Sequence, residues 1–117
     1  MEVVPRRGCF YFIDFEPVRG SEQGRVRPAL VVQNDIGNRS SSTTIVAAVT
    51  SKLPSQRYPL HVWLPEHLLP KPSIVMCEQI RTVAVEKFAS GVIAECSADL
   101  MAQVDRALLR SLGVELR

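Results

Sequence analysis

Apolar residues in this chain come in short runs, each closed by proline, glycine or a polar turn, and only beyond Ser97 does their period change. "CFYFIDF" (9–15) is aromatic, bounded by Gly8 and Pro17, and reads as a strand. "PALVVQN" (28–34) is almost continuously apolar, which predicts a strand buried on both faces. "STTIVAAVT" (42–50) is rich in β-branched residues that suit a pleated surface. "LHVWL" (60–64), "SIVMCEQIRTV" (73–83) and "GVIAE" (91–95) follow, the second with a break expected near Glu78. Prolines at 54, 59, 65, 70 and 72 keep the intervening segments in loops or on edges, and "DIGNRSS" reads as a tight polar turn. From Ser97 onward Leu100, Met101, Val104, Leu108 and Leu112 form a 3.6-residue stripe, with Ser97 as N-cap and Gly113 as stop. Short strands with no alternating helices predict a mostly β fold: a small barrel of antiparallel strands with one C-terminal α-helix.

The 117 residues are expected to form one domain over 1–117, large enough to bury roughly two-thirds of the unfolded surface without metal or disulfide staples. Net charge is only +2, but residues 16–60 set Arg19, Arg25, Arg27, Arg39, Lys52 and Arg57 against Glu16, Glu22 and Asp35. That local excess would attract phosphate or carboxylate, or would simply be a solvated basic surface. Cys9, Cys77 and Cys96 are odd in number and widely spaced, which supports neither a disulfide framework nor a metal site and predicts reduced thiols acting as small apolar residues. The sequence shows no basic-then-apolar leader and no apolar run of about 20 residues, so the expectation is a soluble, cytoplasmic protein away from membranes.

Familiar catalytic and nucleotide-binding signatures are missing, including the phosphate-cradling glycine loop, the zinc-protease helix and the nucleophile elbow. His61 and His67 are six residues apart near prolines, and a surface or packing role is expected of them. Cys9 or Cys77 as nucleophile would need a partner base that the sequence does not suggest. The remaining polar residues gather at strand ends. Arg27 precedes Pro28, so its backbone is pushed towards extended geometry. Gly20 and Gly24 bracket "SEQ" and would let the loop over 19–27 fold onto a ligand. Thr50 and Ser51 close the third strand. "EQIRT" (78–82) puts Gln79 and Arg81 on one face by alternation, with Glu78 and Ile80 on the other. That polar face would be a solvated edge or a contact surface.

Four blocks in order, "RRG", "YFIDFEPVRGSEQG.VRPALVVQNDIGNRSSSTTIVAAVTS", "SIVMCEQIRTV" and "VDRALLRSLG", cover almost the whole chain. Together they closely resemble the MazF (PemK-like) toxins of bacterial toxin–antitoxin modules. The resemblance implies an SH3-like/CcdB-type barrel and a homodimeric endoribonuclease that cuts single-stranded RNA, often mRNA, without metal or other cofactor. It also implies an antitoxin that lays an acidic tail over the groove. A half-buried aromatic strand near the N-terminus is compatible with dimerisation. By the same resemblance, the catalytic arginine and threonine fall on Arg27 and Thr50. RNA contacts fall on the loop around Ser21, Glu22 and Gln23, with Arg25 and Ser51 beside them, and on Glu78 and Gln79. The alternative of a different class is a non-catalytic toxin of this fold acting on a protein such as DNA gyrase, which would not need the Arg27/Thr50 pair.

Metal-free RNA cleavage uses the neighbouring 2′-OH as nucleophile and leaves a 2′,3′-cyclic phosphate and a 5′-OH. A guanidinium offers planar paired donors to the developing phosphorane, and a hydroxyl adds a neutral hydrogen bond. Arginine, with a free pKa above ~12, is a poor base. Glu22 is therefore a candidate base, its rival role being to accept hydrogen bonds from a nucleobase edge. Two departures from the family pattern stand out: Cys9 where an acidic residue is usual after "RG", and Gly24-Arg25 where "GG" is usual. The first removes a carboxylate available for an ion pair, and the second adds charge and bulk at a hinge.

Overall fold

The computed structural model describes residues 3–15 and 26–115. Its elements run β1 (Cys9–Asp14), β2 (Val26–Val31), α1 (Asp35–Ser40), β3 (Thr43–Thr50), β4 (His61–Trp63), β5 (Ile74–Ala84), a 3₁₀ turn (Val85–Lys87), β6 (Ala94–Glu95) and α2 (Ala98–Leu112). The six strands make one sheet in the order β4-β5-β3-β2-β1-β6, every pair antiparallel. The sheet curls into a half-barrel, and the helix lies against it. The mostly β expectation with a C-terminal helix therefore holds.

Both faces of the sheet are covered. On one, Phe10, Leu30, Ala47, Val49, Val62 and Val75 pack against Leu100, Val104 and Ala107 of α2. On the other, Cys9, Tyr11, Ile13, Ala29, Val31, Val46 and Val83 form a second core, joined by Val3, Phe15 and Phe88. This is why β1 and β2 carry unbroken apolar runs rather than alternating ones. It also corrects one expectation. The aromatic strand is not half-buried, because Phe10, Tyr11 and Ile13 are already at most 1% exposed within the single chain.

The α2 caps follow the sequence closely. Ser97 Oγ accepts from the Leu100 N–H at 3.1 Å, and Gly113 sits at φ +73° with its N–H donated to the Arg110 carbonyl. The apolar stripe ends sooner than its period suggests: Ala107 is buried, whereas Leu112 is 63% exposed. The segment expected to be a polar turn is a six-residue helix instead. Asn34 caps it by accepting from the Gly37 N–H at 2.8 Å. Its Asn38 is only 3% exposed and is fully engaged. Asn38 donates to the Gln33 carbonyl and Asp35, and accepts from Thr44 Oγ1 at 2.6 Å and Gln33 Nε2 at 3.0 Å. Those polar residues satisfy one another, which a turn-like composition does not reveal.

Candidate functional site

Strands β2 and β3 pair Val31 with Val46, Leu30 with Ala47 and Ala29 with Ala48. The same register carried two residues further sets Arg27 opposite Thr50, at the point where the ladder lapses. Pro28 has no N–H to continue it. The strands open there into a cleft of about 410 Å³ lined by both residues. Phe12, Pro28, Val49, Leu69 and Ile93 form its apolar lining, while Ser51, Lys52, Lys71 and Ser73 add polar groups. Arg27 is exposed and Thr50 half-buried.

Thr50 Oγ1 accepts the Lys52 backbone N–H at 3.0 Å. One of its two lone pairs is thereby occupied and its O–H remains to donate, the polarity needed to meet an anionic oxygen. Among the described residues that line the cleft there are three cations, Arg27, Lys52 and Lys71, and no carboxylate. Nor does any of the three form an ion pair with a described residue. A cleft of one charge sign with partly apolar walls focuses its field on an incoming anion.

Of the residues predicted to act, Arg27, Thr50 and Ser51 are thus brought together. Ser21, Glu22, Gln23 and Arg25 lie outside the described residues. Glu78 and Gln79 do not line the cleft. The expected break in β5 is a bulge: Ala47 pairs with Ile80 but Ala48 with Met76, so Cys77, Glu78 and Gln79 have no partners on β3. The bulge overturns the simple alternation. Glu78 and Gln79 are both exposed, Ile80 packs against the α2-side core, and the Arg81 guanidinium lies 5.0 Å from the Phe15 ring centroid.

His61 has the packing role expected of it, with an added partner. Its Nε2 is 3.1 Å from Glu78 Oε2, and its ring meets Tyr58 edge-on at 4.8 Å. His67 is exposed. The thiols are poor nucleophiles: burial pushes Cys77 up to about 12 and Cys96 up to about 11, and raises Cys9 as well. Among the described residues no group of three or more His, Cys, Asp or Glu side chains is placed to hold a metal ion. Cys9, noted above as a departure from the resembled pattern, is buried in the second core. The neighbouring arginines find carboxylates elsewhere, Arg6 on Glu95 at 3.6 Å and Arg7 on Asp105.

Lys71 is missed in the sequence, and Lys52 is counted there only in the basic excess over 16–60 and not placed at the cleft. Lys71 lies between two prolines in "PKP", a spacing that announces a stiff loop but not its destination.

Comparison with known proteins bears on the family and the fold. Residues 6–112 match the family model described as PemK-like, MazF-like toxin of type II toxin–antitoxin system. Endoribonuclease EndoA of Bacillus subtilis (strain 168) is 42% identical over 114 residues, covering 96% of this chain and 97% of its own. MazF from Deinococcus radiodurans superposes with TM-score 0.77 at 32% identity, covering 97% of this chain and all of the other. A MazE–MazF structure from the same organism gives TM-score 0.78 at 28% identity, over 97% of this chain and 100% of that one.

Proposed function

Because the chain belongs to the PemK-like, MazF-like toxins of type II toxin–antitoxin systems, we propose that it is a sequence-specific endoribonuclease that cuts single-stranded RNA, mRNA included. The observation that carries this reading is that Arg27, just beyond the last β2–β3 pair, and Thr50, at the end of β3, line one cleft together with Lys52 and Lys71. The 42% identity to a protein named as an endoribonuclease supports it.

The substrate's own 2′-OH attacks the adjacent phosphorus, so the nucleophile needs no metal-bound hydroxide. Negative charge grows on the non-bridging oxygens as the phosphorane forms. The Arg27 guanidinium meets that charge with paired donors, and the Thr50 hydroxyl adds a third. The bond from phosphorus to the 5′-oxygen then breaks and that oxygen takes up a proton from water, giving 2′,3′-cyclic phosphate and 5′-OH ends. Glu22 is the candidate to take the 2′-OH proton. The active form is a homodimer, and a cognate antitoxin silences it by covering the same cleft. A MazE–MazF complex has been solved for a 28% identical relative.

The test is digestion of a long single-stranded RNA in EDTA with analysis of the new ends. Cyclic phosphate and 5′-hydroxyl ends are expected. Ends bearing 3′-hydroxyl and 5′-phosphate, or uncut RNA across many sequences, would overturn the reading.

A further inference from the structure

Three separate segments converge on the cleft: the start of β2 brings Arg27, the exit of β3 brings Lys52, and the loop between β4 and β5 brings Lys71. Resting on the RNA-cleaving reading above, we infer that Lys52 and Lys71 form a phosphate clamp beside the scissile position, each holding one further backbone phosphate of the substrate.

Both lysines are held by their backbones. The Lys52 N–H is tied to Thr50 Oγ1 at 3.0 Å, so its position is coupled to the hydroxyl that faces the reacting phosphate. The Lys71 carbonyl accepts from Ser73 Oγ at 2.8 Å. Ser73 is itself 6% exposed and gives its carbonyl to the Leu64 N–H. Pro70 and Pro72 flank Lys71 and restrict its backbone further. Little backbone freedom remains to be lost when either ammonium meets an anion.

Both side chains are exposed, and neither has a carboxylate partner among the described residues. No described acid competes for these ammonium groups, so an anionic ligand in the cleft would meet them unneutralised. Phe12, Pro28, Val49, Leu69 and Ile93 supply apolar wall beneath these cations. That combination suits a nucleotide chain, whose bases present apolar faces and whose phosphates recur at short intervals. An ammonium is a compact point charge that serves a phosphate in any sequence context, so the clamp contributes affinity and register rather than base choice.

The experiment takes a short RNA that the wild type cuts, made uncleavable by a single 2′-deoxy substitution at the cut position. Its binding is measured by fluorescence anisotropy over a range of salt. Lys52→Gln and Lys71→Gln are each expected to weaken binding on the order of fivefold to tenfold at low salt. Each should lower the slope of log affinity against log salt by about 0.7, and the double variant by about twice that. Lys71→Arg should restore the slope. Arg39→Gln removes the same charge at a separate cleft, and should leave the slope as in the wild type. Melting temperatures of all variants check that folding is intact. Wild-type slopes in Lys52→Gln and Lys71→Gln, or an equal loss in Arg39→Gln, would overturn the clamp while leaving the ribonuclease reading standing. A wild type that neither cuts nor binds RNA would remove both.

Discussion

At the scale of single residues, the site depends on what each polar atom is already doing. Thr50 accepts a backbone N–H and keeps its proton to give. Thr50→Val, which removes both functions at constant shape, should slow RNA cleavage by roughly tenfold to a hundredfold, and Thr50→Ser should recover most of the rate. Single-turnover rates on one RNA would show it. Asn38 plays the structural counterpart. Replacing it by alanine leaves the Thr44 hydroxyl without its acceptor and the Gln33 amide with only the longer bond to the Thr43 carbonyl, and should cost roughly 1–3 kcal/mol by urea unfolding.

Asp35 supplies a pH signature. The backbone N–H of Arg7, followed by the Asn38 side chain, holds its carboxyl below the ordinary value of 3.8. A group whose folded pKa is depressed adds stability above its unfolded value and loses it as pH falls through the folded one. Stability should therefore drop from about pH 4 downward, and less so in Asp35→Asn, when unfolding midpoints are followed into acid. Arg27 and Thr50 stand at strand ends in the sequence, but it is the family resemblance that assigns them a role. Lys52 enters the sequence reading only as one charge of a basic stretch and Lys71 not at all, since a lysine in a loop looks the same whichever way the loop turns.

At the scale of elements, the caps carry most of the predictability. Ser97 and Gly113 define α2 in the sequence and do so in the structure. Ser97→Ala should destabilise the protein by about 1 kcal/mol. Gly113→Ala should cost a similar amount, because φ is +73° while nothing lies within 4 Å of an added Cβ. Thermal melts of the two variants would test both. Two elements escaped the sequence for opposite reasons. The helix α1 is built from turn-forming residues that happen to satisfy one another through Asn38. The β5 bulge follows a regular strand pattern until three residues lose their partners, and a local pattern does not report partners. Its consequence is that Glu78 and Gln79 face solvent together, with Glu78 fixed by His61.

At the scale of the molecule, one curled sheet separates two apolar clusters and opens at one end into a cationic cleft. The clusters lie on opposite faces, so mutations in them should act independently. Leu100→Ala on the α2 side should cost about 2–5 kcal/mol, Ile13→Val on the other about 0.5–1.5, and the double variant their sum to within about 0.5. Deviation beyond that in equilibrium unfolding would mean that the sheet transmits strain between its faces. The fold class was readable from run lengths because strands covered on both faces need unbroken apolar residues. The cleft was not, because it arises where β2 and β3 part at Pro28, and divergence between strands is a property of the sheet rather than of either segment.

The central claim is that Arg27, set opposite Thr50 in this cleft, stabilises the charge that develops as RNA is cut. Its most direct measurement is single-turnover cleavage of one RNA in EDTA by the wild type and by Arg27→Ala, with folding of the variant checked by its melting temperature. A fall in rate of about 10²–10³ with folding intact is the predicted result. A variant that still cuts the same RNA within a few fold of the wild-type rate would contradict it.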